Sequence, residues 1–223
     1  MIELIKVSGH QEGNVRAHDI LKLHLHKNSL LVMCGGIYTN YTTMIVEPND
    51  LRIKAACIGD ERFGEQFHLH SNELMLKNQG VINYFEKSGV EFYKVLHGDT
   101  IENTARNYNL IFSSLFLRFP ERVGVVGIGV DDHTAGIFPH SIALHAKDNV
   151  IYEHVANEFG ERITMTMNAL SQFTTFVILS FGEKKAEAIR RVLNDAENDI
   201  NSFPAIFYRK TSIKSYLITD QAI

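Results

Sequence analysis

Short apolar runs alternate along this chain with longer segments of helical period. Ser29–Met33, Ile53–Ile58, Val123–Ile128 and Phe173–Leu179 are aliphatic and β-branched, without polar alternation. Strands read this way when a parallel sheet is covered on both faces and no side meets water. Between them, Ile101, Ala105, Tyr108, Phe112 and Leu115 recur at steps of three and four, predicting a helix over Ile101–Leu117. Asp99, with Glu102 three residues on, reads as its N-terminal cap. A second helix is predicted over Lys184–Asn194, with Ala186, Ile189 and Leu193 as its apolar stripe. Strands alternating with such helices predict an α/β fold: a three-layer, open, mostly parallel Rossmann-like sheet with helices on both faces.

Two segments resist assignment. In His18–Lys27 the leucines fit a period of two, yet Ala17, Ile20, Leu21 and Leu25 also share a helix face. Tyr38–Pro48 is rich in Thr and Asn, so a helix there is weak. No repeat, low-complexity tract or linker-like run interrupts the chain, and residues 1–223 read as one domain.

Composition narrows the class. The chain has 223 residues, 45% apolar and 22% charged, with a net charge of −4. A mild acidic excess argues against a nucleic-acid partner, which calls for a basic face. Two cysteines, Cys34 and Cys57, make no disulfide framework, so the reducing cytosol is the expected compartment. The start lacks a signal-peptide pattern, and no stretch approaches the ~18 apolar residues of a membrane span. The expectation is a cytoplasmic protein without a membrane partner.

Ligands of open parallel sheets bind beyond the carboxyl ends of the strands, so residues just after each strand carry the candidate chemistry. Gly35-Gly36 follows the first run and would let backbone N–H groups approach an anion; a tight turn explains the pair as well. Gly59-Asp60-Glu61-Arg62 follows the second run, and taken alone it reads first as a solvated turn. After the third comes Gly129-Val130-Asp131-Asp132-His133, in which Asp131 can orient His133 as a general base. Arg162 and Lys185 offer cations for a phosphate, with a surface ion pair and a solvated lysine as their plain readings. The His24/His26 and His68/His70 pairs lack a third ligand at a familiar zinc spacing. Asp131, Asp132, His133 and His140 make a better metal set, but the expectation is no metal and no cofactor.

Six segments in order resemble the glucosamine-6-phosphate isomerase/6-phosphogluconolactonase family, on its lactonase branch. Asp131–Pro139 resembles that branch's Asp-Gly-His-Thr-Ala-Ser-Leu-Phe-Pro loop, and Gly59–Arg62 with Ser71-Asn72 its Asp-Glu-Arg…Ser-Asn signature. Arg162–Thr166 resembles its Arg-Ile-Thr-Leu-Thr strand, and Gly182–Ala186 its Gly-Glu-Glu-Lys-Ala helix start. Pro204-Ala205 and Asp220-Gln221-Ala222 fit its tail. The resemblance implies hydrolysis of 6-phosphogluconolactone, a small sugar phosphate, by a monomer or homodimer. His133 would be the base and Asp131 its orienter. Arg62 would stabilise the oxyanion or grip the phosphate, while Gly35, Gly36, Arg162 and Lys185 would hold the phosphate.

Two departures stand out. Ile37 and Tyr38 replace two hydroxyl residues of the family's Ser-Gly-Gly-Ser-Thr-Pro loop. Asp132 replaces the glycine between Asp and His, which predicts a left-handed backbone there and an extra negative charge beside the base. On that reading Asp132→Gly would speed the reaction near neutrality. Two alternatives stay open: an isomerase/deaminase with Asp60 as proton-abstracting base, and a degenerate sugar-phosphate-binding relative. Sensors of the latter kind carry an N-terminal DNA-binding helix pair, for which a first predicted strand at Ser29 leaves little room.

Overall fold

The computed structural model describes residues 2–155 and 160–223. Its centre is a seven-stranded, all-parallel sheet. The strands are β1 (Ile2–Lys6), β2 (Ser29–Met33), β3 (Ala55–Ile58), β5 (Glu91–Tyr93), β6 (Glu121–Gly127), β9 (Thr175–Leu179) and β10 (Lys214–Thr219). Their spatial order is β1-β10-β9-β6-β2-β3-β5, with β1 and β5 as open edges, so the sheet does not close into a barrel. A second, antiparallel sheet orders β4 (Asp60–Arg62), β8 (Glu161–Met165) and β7 (Val150–His154).

The four uninterrupted apolar runs form the four adjacent inner strands β3, β2, β6 and β9, in which nearly every residue is buried. Two begin at Ala55 and Thr175, two residues inside the predicted bounds, and β6 spans Glu121–Gly127. The outer strands lacked such a signal because edge positions are only half covered: β1 alternates between half-buried and exposed residues, and none of β5 is fully buried. The first strand is therefore β1, hydrogen-bonded to β10, and not the run at Ser29.

Helix α1 (His10–His24) settles the ambiguous segment, burying Ala17, Ile20 and Leu21 and ending before an extended Leu25. Thr42–Val46 makes one widened helical turn, closed by Glu47 N–H to the Thr42 carbonyl at 2.9 Å. Helices α2 (Asn72–Asn78) and α3 (Val81–Ser88) follow β4. Helix α4 (Ile101–Arg118) buries Ile101, Ala105, Tyr108, Phe112 and Leu115 as predicted. Its cap is Thr100 and not Asp99: Thr100 Oγ1 accepts the Asn103 N–H, while Asp99 accepts from Thr100 N–H and the Asn103 amide. The Tyr108 hydroxyl bonds both backbone groups of Ile58 (2.9 and 2.7 Å), pinning the end of β3 where Asp60 follows.

A four-residue helix α5 (Met167–Leu170) follows β8. Beyond β9, a tight turn over Glu183–Lys185 leads into α6 (Ala186–Leu193). Its buried face is Ala188, Ile189 and Val192; the predicted Ala186 and Leu193 are half-buried. Helix α7 (Phe207–Lys210) sets Tyr208 in the core. No helix among the described residues is long and apolar enough to cross a membrane. Cys34 and Cys57 are buried free thiols.

Candidate active site

From β2 the chain steps to β3 and β5 in one direction, and from β6 to β9 and β10 in the other. A topological switch point therefore lies between β2 and β6, where neighbouring strands send their following loops apart and open a crevice. A cleft of about 390 Å³ occupies that place. Its walls come from the residues after the four inner strands: Cys34–Thr39, then Asp60 and Arg62, then Asp131, His133 and Phe138 of the loop after β6, then Phe181 with Lys185. Arg162 enters from β8. The structure thus brings Gly35, Gly36, Asp60, Arg62, Asp131, His133, Arg162 and Lys185 to one cleft.

His133 Nδ1 lies 2.5 Å from Asp131 Oδ1. The loop that carries them is closed by its own backbone, with Gly129 N–H to the His133 carbonyl at 2.7 Å. It is anchored below by Thr134, whose hydroxyl bonds the Gly127 carbonyl (3.0 Å) and the Tyr208 hydroxyl (2.5 Å). The Phe138 ring covers the imidazole, with centroids 4.4 Å apart, and the Arg162 guanidinium lies over the same ring. Burial pushes the Asp131 carboxyl up, but the hydrogen bond and charge of His133 bring it net below the usual range. That carboxylate is therefore charged across the neutral range and available to fix the imidazole.

The charged cluster after β3 is no solvated turn. Glu61 is fully buried, accepting N–H groups of Arg62, Asn72 and Glu73, and burial pushes its carboxyl up to about 8. Asn72 carries Arg62: its Oδ1 accepts from Nη1 at 2.6 Å while its Nδ2 donates to the Asp60 carbonyl at 2.6 Å. A Cβ on Gly35 would sit 2.1 Å from that Oδ1, so the strand-end loop can close on Asn72 only as glycine. Arg162 is 5% exposed, 3.5 Å from Asp60, and burial lowers its pKa; it is no surface ion pair. Arg62 and Arg162 are register partners across β4 and β8, setting two like charges side by side at the cleft. Lys185 donates to the Ile128 carbonyl, and burial lowers its ammonium below the lysine range against an upward pull from Asp131.

Asp132 has φ 67°, the left-handed backbone its position predicted. Its charge is not where the sequence put it. The carboxylate is buried away from the cleft and paired with Arg191 of α6. With Asp132 committed there, the Asp131/Asp132/His133/His140 set does not converge, and no metal-holding group of three was found among the described residues. The histidine pairs are engaged one by one: His24 with the Tyr216 hydroxyl, His26 with Glu121, His68 with the Arg62 carbonyl. Sequence reasoning assigned no part to Gly129, Phe138, Arg191 or Tyr208, which support the Asp131–His133 loop; Gly129 and Phe138 lay within segments already marked, Arg191 and Tyr208 did not.

A family model for glucosamine-6-phosphate isomerases/6-phosphogluconolactonase matches residues 26–216. A 6-phosphogluconolactonase of Nostoc sp. is 28% identical over 159 residues, 67% of this chain and 63% of that protein; the match thus spans less than two thirds of its relative. Two solved structures share the fold at a TM-score of 0.79. One is a 6-phosphogluconolactonase from Shewanella baltica, at 20% identity and 98% coverage of both chains. The other is a monomeric glucosamine-6-phosphate deaminase, at 18% identity, covering 98% of this chain and 96% of that one. Since both branches fit equally well, the fold does not choose between them. The choice falls to the residues in the cleft.

Proposed function

The chain belongs to the glucosamine-6-phosphate isomerase/6-phosphogluconolactonase family, and from that premise we propose that it hydrolyses 6-phosphogluconolactone to 6-phosphogluconate by general-base activation of water. The observation that carries this reading is the Asp131–His133 pair at 2.5 Å, set in a cleft walled by three cations. With Nδ1–H given to Asp131, the Nε2 lone pair takes a proton from the water that attacks the lactone carbonyl. The oxyanion develops beside Arg62, and the ring oxygen leaves with the proton that His133 returns. Arg162, Lys185 and the Gly35-Gly36 loop hold the phosphate and fix the ring against His133. Asp60, buried against Arg162, keeps that cation in the cleft. Thr134–Pro139, which lacks the deaminase branch's glutamate, disfavours the deaminase reading. All these groups come from one chain, acting as one domain with neither a nucleic-acid nor a membrane partner. The test is release of acid from freshly made lactone, corrected for spontaneous hydrolysis, beside an ammonia assay on glucosamine 6-phosphate. We expect lactone turnover that survives exhaustive chelation and no ammonia. Ammonia release without lactone turnover would overturn the proposal.

Lys185 gives the reading a pH signature. Its pKa is depressed, so the cation that holds the phosphate is present below that value and lost above it. The KM for the lactone should therefore climb at a lower alkaline pH than an ordinary lysine would set. Lys185→Arg, which stays charged, should flatten that climb. A climb unchanged in the arginine variant would remove Lys185 from the phosphate site.

A further inference from the structure

We infer that Asp132 is a positioning residue: its ion pair with Arg191 fastens the Asp131–His133 loop to helix α6, which follows Lys185. The inference rests on the proposed reading of His133 as the base. The carboxylate side chain is 4% exposed, and Oδ2 is held by Arg191 Nη1. Its other oxygen, Oδ1, is buried with no hydrogen-bond partner among the described residues, so Arg191 alone balances the charge. Arg191 is fixed from two further sides, by Glu187 at 2.7 Å and by the Phe203 ring 4.4 Å beneath its guanidinium. The Asp132 carbonyl accepts the Ala205 N–H at 3.0 Å, adding a backbone seam on the same side. At the other end of the helix segment, Lys185 donates to the Ile128 carbonyl. The loop bearing the base is thus tied to one helix segment at both ends, and the groups proposed as base and phosphate cation keep a fixed separation. A glycine at 132 would relax the positive φ, yet it would remove the tie at one end. This reverses the expectation drawn from charge alone.

The proposal is tested by Asp132→Gly, Arg191→Met and their double variant on the lactone. Each single variant should lower kcat about five- to thirty-fold, since sub-ångström misplacement of a base is costly. KM should stay within about twofold, because the anion-holding groups are untouched. The double variant should be no slower than the worse single one, as expected when both remove one interaction. Asp132→Asn, which keeps an oxygen for Arg191, should recover part of the loss, and it serves also should the glycine variant fold poorly. An Asp132→Gly enzyme as fast as wild type, additive losses, or a loss confined to KM would each overturn the inference. If the wild-type protein does not turn over the lactone, the functional reading fails on its own. The low-field His133 Nδ1 proton resonance then decides: broadened in Asp132→Gly and Arg191→Met it supports the tie, and unchanged it ends it.

Discussion

His133→Asn is expected to lower kcat for lactone hydrolysis by at least ~100-fold while leaving KM within a few-fold. General-base catalysis typically contributes about 10²–10⁴ to a rate, and it acts on the transition state alone. Asparagine fills similar space and can still bond Asp131, so the loop keeps its shape. It has no lone pair basic enough to take a proton from water. Arg162, Lys185 and the Gly35-Gly36 loop remain in the cleft, which is why binding is expected to hold. Steady-state kinetics of both forms on the lactone check this. Near wild-type turnover would make His133 a structural residue and remove the proposed mechanism.

The second large effect is expected from a methyl group. Gly129→Ala would place a Cβ 2.1 Å from His133 Nδ1 and 2.4 Å from Asp131 Oδ1, well inside contact distance. Gly129 does not occupy the left-handed region, so alanine meets no backbone penalty there. Both side chains it strikes are partly exposed and can swing aside, so the fold should survive and the dyad should not. The expected result is a loss of kcat of about 100-fold, the order that roughly 1 Å of misplacement costs. Thermal melting should shift by only a few degrees, on the order of a 1 kcal/mol change. An active Gly129→Ala enzyme would mean that the 2.5 Å Asp131–His133 contact is not needed for turnover. A large fall in melting temperature would instead identify the glycine as a folding requirement.

The inner half of the sheet was legible because its signal is local. Strands β2, β3 and β9 and the Val123–Val126 stretch of β6 are buried on both faces, so each of these positions must be apolar or small, and a window of four or five residues suffices to see it. The edge strands β1 and β5 are only partly covered, and the short β4 buries charged residues against α2 and β8. Their polar residues mask the pattern, and only pairing with a distant segment makes them strands. The cap of α4 shows the same limit at smaller scale: Asp99 and Thr100 both qualify by residue type, and geometry chose the threonine.

In the site, the sequence by itself picked out the residues that the fold gathers in one cleft. Asp131, His133, Arg62, Arg162 and Lys185 follow strand ends or lie in ordered motifs, and strand ends are where an open sheet leaves side chains free to meet a ligand. The resemblance implied a left-handed backbone at Asp132, where the family has glycine, and the residue has φ 67°. The tertiary structure decided where the charges point. Asp132 and His133 are neighbours in the chain, yet one carboxylate turns to Arg191 and is buried while the imidazole faces the cleft. Glu61, between two cleft residues, turns inward to the first N–H groups of α2. Arg62 and Arg162 became neighbours only through the register of β4 on β8. Direction and pairing over a hundred residues of chain are set by long-range packing, which no local window of sequence contains.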